Sequence, residues 1–272
     1  MTKIYFFSGT GNSLWSAKKI AQIINSNSSN ECELYNIAVE AQKYVSNEPY
    51  VSGESCEIFI EADAVVFVFP SYAYSMPLVV RRFIERAVFK TSYIASFVTY
   101  GSSPGGTLGS LRRILKKKGI PKMFFAKIPA VENYLAMFGP PKDKTIKQRT
   151  KMQEEATEKA ALSIIERKEN SVSLFYPFSF LVSLLFLLAL KLFYKYYRVG
   201  YHCNGCATCE KVCPVSAIVM KDGRPQFTSK CEHCQACINI CSLRAIQFGR
   251  VKFGTRGYCH PEIEIAELER KK

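Results

Sequence analysis

Residues 3–13 read Lys3-Ile4-Tyr5-Phe6-Phe7-Ser8-Gly9-Thr10-Gly11-Asn12-Ser13. Lys3 to Phe7 is an apolar run of strand length. A short loop of glycine and hydroxyl residues follows. Leu14, Ala17, Ile20, Ala21 and Ile24 then recur at the spacing of one helix face. A strand, a small polar loop and a helix start together form an anion site, because amides and hydroxyls converge where the helix dipole is positive. The loop has no Lys, so it is not a Walker A motif. Glycines at 9 and 11 alone do not make G-x-G-x-x-G.

Further along, Ala64–Phe69 and Tyr93–Tyr100 are continuous apolar runs, as in strands covered on both faces. Met123–Ile128 is a third such run, and Glu33–Ala38 is a weaker one. Helical patterns lie between them at about 77–89, 106–118 and 145–168. This alternation predicts an α/β fold with a doubly wound, parallel, five-stranded sheet. Ligands of such sheets sit at the carboxyl ends of the strands.

On these motifs, residues 1–169 resemble flavodoxin. The resemblance rests on Ser8-Gly9-Thr10-Gly11-Asn12-Ser13 and on two loops. One is Pro70-Ser71-Tyr72-Ala73-Tyr74-Ser75-Met76-Pro77; the other is Gly101-Ser102-Ser103-Pro104-Gly105-Gly106-Thr107. It implies FMN, with its phosphate at Ser8–Ser13 and its ring between the two loops. Tyr72 or Tyr74 would stack on the ring, and the backbone at Gly101 and Ser102 would approach it. Trp15 is expected to pack in the core or at its rim.

The C-terminal part carries a second signal. Cys203, Cys206, Cys209 and Cys213 follow C-x2-C-x2-C-x3-C, with Pro214 next. Cys231, Cys234, Cys237 and Cys241 repeat the spacing 28 residues later, and Ala217-Ile218 recurs as Ala245-Ile246. This is an internal duplication. Zinc needs only four ligands in tetrahedral closure, so a third cysteine at the same short spacing is superfluous to it. The pattern fits two [4Fe–4S] clusters whose fourth ligands are exchanged. One set is then Cys203, Cys206, Cys209 and Cys241; the other is Cys231, Cys234, Cys237 and Cys213. Residues 201–257 resemble the bacterial dicluster ferredoxin domain, with Ser242 in place of the second proline. Val212, Ile218, Ile238, Ile240 and Ile246 would keep water from the clusters. Cys32, Cys56 and Cys259 read as free thiols. The chain as a whole resembles a fusion family, with a flavodoxin-like domain first and a small α+β dicluster ferredoxin last. The expected boundaries are 1–169, an apolar helical connector at 170–200, the cluster domain at 201–257, and a tail at 258–272.

Residues 171–190 carry no charge. Their length approaches that of a membrane span, but Pro177 leaves only about 18 residues of helix to Tyr194. A single span would also put two redox domains on opposite sides of a bilayer, and the flanking charges are balanced. Such a helix must be buried in something. Shallow membrane association through 172–194, burial against this chain or in a homo-oligomer, and true spanning are the alternatives. Phe193–Arg198 suits either an interfacial anchor or a wet linker end.

The chain has 272 residues and a formal charge of +14. Two clusters and an FMN phosphate would lower this to about +8, which still favours an acidic redox partner or anionic lipid. No helix-turn-helix or RNA-binding motif appears, so nucleic acid is not expected. No signal-peptide pattern opens the chain, and clustered cysteines suit a reducing compartment, so a cytoplasmic location is expected. No acid–base constellation for substrate chemistry is visible. The resemblance implies an electron carrier that passes low-potential electrons between clusters and FMN. The rivals are a flavin-dependent reductase of a small molecule fed by the clusters, a membrane-associated redox subunit, and a ferredoxin on a flavin-free scaffold.

Overall fold

Ile4, Val66, Phe67, Ile94 and Phe97 are among the most deeply buried side chains, and they lie on adjacent strands of one sheet. In the computed structural model, residues 1–43, 57–174 and 176–270 are described. Cys56 lies outside them.

The elements in chain order begin with β1 (Thr2–Phe6), α1 (Asn12–Asn27), β2 (Cys32–Asn36), α2 (Ile37–Lys43), β3 (Ile58–Glu61) and β4 (Ala64–Pro70). They continue with α3 (Leu78–Arg86), β5 (Ala87–Lys90), β6 (Tyr93–Tyr100), α4 (Thr107–Lys117), β7 (Lys122–Pro129), α5 (Leu135–Phe138) and α6 (Asp143–Ile165). The main sheet is parallel throughout, with strand order β2-β1-β4-β6-β7. Counted over these five strands that is 2-1-3-4-5, the order of flavodoxin-like doubly wound sheets. Two apolar layers sandwich it. One contains α1 and α6 against Ile4, Val66 and Phe97; the other contains α3 and α4 against Phe67, Phe69 and Val98. The strand expected at 33–38 stops at Asn36, whose side chain accepts a hydrogen bond from the Ala38 amide and turns the chain into α2. β3 and β5 form a separate parallel pair beside the sheet, which the residue pattern did not reveal.

α7 spans Pro177–Phe193, with the proline in its first turn. Among the described residues, no helix is long and apolar enough to cross a membrane. Beyond a short 3-10 turn come β8 (Arg198–Val199), α8 (Thr208–Lys211), β9 (Ile218–Lys221), β10 (Arg224–Phe227), α9 (Ala236–Ile240), β11 (Ile246–Gln247) and α10 (Ile265–Leu268).

The sequence duplication is also a backbone duplication. Gly205, Ala207 and Ser216 have positive φ, and so do His233, Gln235 and Arg244, each 28 positions later. α8 and α9 occupy equivalent places. β9 pairs with β10, and β11 pairs with β8.

Residues 258–270 do not trail away as a tail. They return to the first half of the chain. Tyr258 Oη donates to Asn12 Oδ1 at 2.7 Å, the His260 amide donates to the Thr10 carbonyl at 2.9 Å, and Lys18 pairs with Glu267. Ile263 and Leu268 join Val212, Ala236 and Ile240 in the same core cluster as Leu14 and Trp15.

Candidate functional site

Two groups of residues expected to hold cofactors lie side by side where the halves meet. The first is the loop after β1. Gly11 has φ +96°, a conformation that L side chains avoid, and a Cβ there would lie 2.9 Å from the Cβ of His260. Its amide donates to Ser8 Oγ at 3.1 Å. Gly9, Thr10, Asn12 and Ser13 are buried. Among the described residues, the amides of these four and of Leu14 meet no protein acceptor, because the first helical hydrogen bond runs from Trp15 to Gly11. Buried amides seldom lack a partner, and unpaired amides at a helix start suit an anion such as a phosphate monoester. The side chains around the loop are held in place. Asn12 Nδ2 donates to the Val131 carbonyl, Ser13 Oγ lies 2.8 Å from Thr99 Oγ1, and Asn133 Nδ2 donates to Thr10 Oγ1. Trp15 is buried and stacks on the His260 ring at 5.1 Å.

The two loops expected around the flavin ring also meet. Ser71 Oγ lies 2.7 Å from Thr107 Oγ1 and donates to the Pro104 carbonyl. The expected stacking residues are engaged with protein. Tyr72 sets its ring edge-on to Phe7 and is closed off from solvent around its hydroxyl, which burial drives well above its usual pKa. A Cβ on Gly9 would stand 3.2 Å from that hydroxyl and 3.6 Å from the Cys234 carbonyl. Tyr74, at φ +65°, packs over Gly105 and against Phe178 of α7. Gly101 sits under the Glu132 side chain, and Ser102 is exposed.

The second group is the cysteines. Cys203, Cys206, Cys209 and Cys241 line one cavity, so Cys241 crosses from the second repeat into the first set. Cys209 feels the thiols of Cys241, Cys203 and Cys206, and burial pushes it up to about 12. Cys213 makes the reciprocal crossing. Cys231, raised to about 11 by burial, feels Cys213, and Cys234 feels both Cys213 and Cys231. Cys237 feels Cys234, Cys231, Cys213 and also Cys209, which makes the two sets neighbours. Amides are aimed at sulfur in matching places: Ala217 to Cys213 Sγ at 3.2 Å, and Ala245 to Cys241 Sγ at 3.3 Å. Among the described residues, no group of three or more His, Cys, Asp or Glu side chains is placed to hold a metal ion.

The sets differ in depth. Cys206 is exposed, and its contact with the Thr208 hydroxyl holds it below its usual pKa. Cys237 is buried, and burial holds both Cys234 and Cys237 well above theirs. Val212, Ile218, Ile238, Ile240 and Ile246 are all buried around them. Reading the residues alone missed several members of this region. Tyr197 does not serve an anchor. It turns inward, its hydroxyl 2.7 Å from His233 Nδ1 and its ring stacked on Phe227 at 4.3 Å. Glu232 is buried at the start of α3. Burial pushes its carboxyl up to about 7, against the pull of the Val79 and Leu78 amides and of Arg82. No spacing rule points to either residue, since each is defined by contacts with residues far away in the sequence. Cys259 is a half-buried free thiol outside both sets, raised by burial.

No protein-family model matches the chain, and no curated protein matches it. Among solved structures, it is similar to a flavodoxin from the domain Archaea, with 17% identity over 59% of this chain and 99% of that one, at a TM-score of 0.33. It is similar to an azoreductase from Bacillus anthracis str. Sterne, with 14% identity over 61% of this chain and 100% of that one, at 0.39. It is also similar to an NAD(P)H:quinone oxidoreductase from Methanothermobacter marburgensis, with 9% identity over 63% and 98%, at 0.37. At these scores the likenesses add nothing to the strand order described above.

Proposed function

We propose that this chain is an electron-transfer protein that holds two [4Fe–4S] clusters and FMN. The observation that carries the reading is the exchange of Cys241 and Cys213 between the two cysteine sets, beside a loop of buried amides without acceptors. The clusters would supply one-electron transfer at low potential, and FMN one- or two-electron transfer. The residues supply order. The set containing Cys206 opens to the surface, where a redox partner docks. The set containing Cys234 lies deeper, with Cys213 and Cys237 buried, and sits against Gly9 and Tyr72. The Ala217 and Ala245 amides stabilise negative sulfur and so set potential. Gly9–Ser13 binds phosphate through its backbone, and the loops at 70–77 and 101–107 orient the ring.

A second reading, a reductase acting on a small molecule, has its own support. A cavity of about 920 Å³ is bordered by Tyr74, Ser75, Met76 and Gly106, the same loops that would hold the ring. Its size suits a small ligand.

Cofactor analysis of anaerobically purified protein tests the main reading. About eight irons, matching sulfide and one FMN are expected. Iron at the level of a single zinc-like ion would sink the cluster assignment. Failure to take up FMN on reconstitution would leave the clusters on a flavin-free scaffold.

A further inference from the structure

The orientation of α7 is inverted for a helix in water. Its inner side carries Ser179 and Ser183, both buried, and Ser183 Oγ donates to the Ala73 carbonyl at 2.9 Å. Its outer side carries Phe178, Leu181, Leu185, Leu188 and Leu192, and Phe178, Leu185 and Leu188 are 71%, 58% and 65% exposed. A contiguous apolar stripe of this kind marks an interaction surface.

Charge identifies what covers it. The sequence has no Asp or Glu between Glu169 and Glu210, and none between Glu85 and Glu132. These two acid-free stretches come together. Arg112 donates to the Val172 carbonyl and Arg113 to the Leu174 carbonyl, which lays the cationic helix α4 along the approach to α7. Arg113, Lys117 and Lys118 line the groove between the two helices, and Lys195 lies exposed just beyond α7. Glu85, which also lines the groove, pairs with Arg81, so the remaining charges there are cations. An apolar stripe with such a border repels a second copy of itself, and it complements a surface that is apolar inside and anionic outside. At 17 residues, α7 is roughly 26 Å long, enough to lie in the plane of a bilayer.

We propose that α7 seats this protein on an anionic phospholipid bilayer. The outer Phe/Leu stripe enters the acyl boundary, and Arg113, Lys117 and Lys195 lie among the headgroups. The cofactor-loop end faces the same surface, since Tyr74 and Gly106 border the α4–α7 groove. The inference stands on the helix and its charges, and does not depend on which cofactors are bound.

The test is co-sedimentation of the full-length protein with vesicles of phosphatidylcholine, with and without phosphatidylglycerol. Binding is expected to the anionic vesicles, and to weaken in high salt. A Leu181→Gln/Leu185→Gln/Leu188→Gln variant should bind more than tenfold more weakly. Lys117→Gln/Lys195→Gln should bind roughly twenty-five-fold more weakly, at about fivefold per cation. Both variants should keep the melting temperature and iron content of the parent, since these side chains face outward. Three results would each overturn the proposal: no binding to anionic vesicles, equal binding to neutral and anionic vesicles, or loss of the stripe variant's phenotype together with a concentration-dependent dimer. The last would make a second copy the occupant.

Discussion

Thr10 shows how one residue serves two halves of the chain. Its amide meets no protein acceptor among the described residues, its carbonyl accepts from His260, and its hydroxyl accepts from Asn133. Thr10→Asp should place a carboxylate where an anion is expected and weaken FMN binding by more than tenfold, because apposed like charges cost several kcal/mol. Fluorescence titration with FMN reads this directly, and unchanged affinity would remove the loop from the site. His260 is 1% exposed, and burial lowers its pKa to about 4. The unfolded chain, near 6.5, binds the proton first. Stability from this group is therefore complete above about pH 7 and is lost as pH falls toward 4, by at most about 3 kcal/mol. Urea midpoints measured across that window should fall more steeply for the parent than for His260→Gln. Parallel curves would show that His260 does not govern the acid limb.

At the scale of elements, the duplicated unit makes a prediction that its spacing alone does not. Cys209 and Cys241 line one cavity although they belong to different repeats, so the proposed assignment would put them on one cluster. The Cys209→Ala/Cys241→Ala pair should therefore lose only about half the iron, whereas Cys209→Ala/Cys213→Ala should lose nearly all of it. Unexchanged ligands would reverse the two results, so iron and sulfide assays decide between them. The duplication was legible because cysteine spacing, like the left-handed backbone positions that accompany it, is a local property. The paired strands β3 and β5 were not legible. Their four-residue length gives too little period to read, and their partnership spans residues 58 to 90.

For the whole molecule, the return of residues 258–270 over the first loop joins the two halves into one core. Ile263 is 6% exposed and packs at Gly11. Ile263→Ala should cost about 2–4 kcal/mol. Trp15, the single tryptophan, reports on the first half, and visible absorption would report on the proposed clusters. Both should be lost in one transition, at a lower denaturant concentration than in the parent. Separate transitions would mean that the halves unfold independently and that the returning segment is only a surface strap.

Local chemistry determined the alternating elements, the glycine and hydroxyl loop after β1 and both cysteine sets, because strand runs, glycine placement and C-x2-C spacing need only near neighbours along the chain. Tertiary structure alone decided the rest. Tyr197 entered the shell of the second cysteine set, Glu232 settled at the start of α3, Tyr72 turned in toward Gly9, and residues 258–270 closed over the loop at Ser8–Ser13. Each of these depends on contacts between residues far apart in sequence. Burial of apolar surface, which is non-directional and indifferent to sequence separation, draws such residues together. The outer face of α7 is the counterpart. The sequence marked it as apolar, but only the placement of Ser179 and Ser183 against the protein showed which side was left facing out.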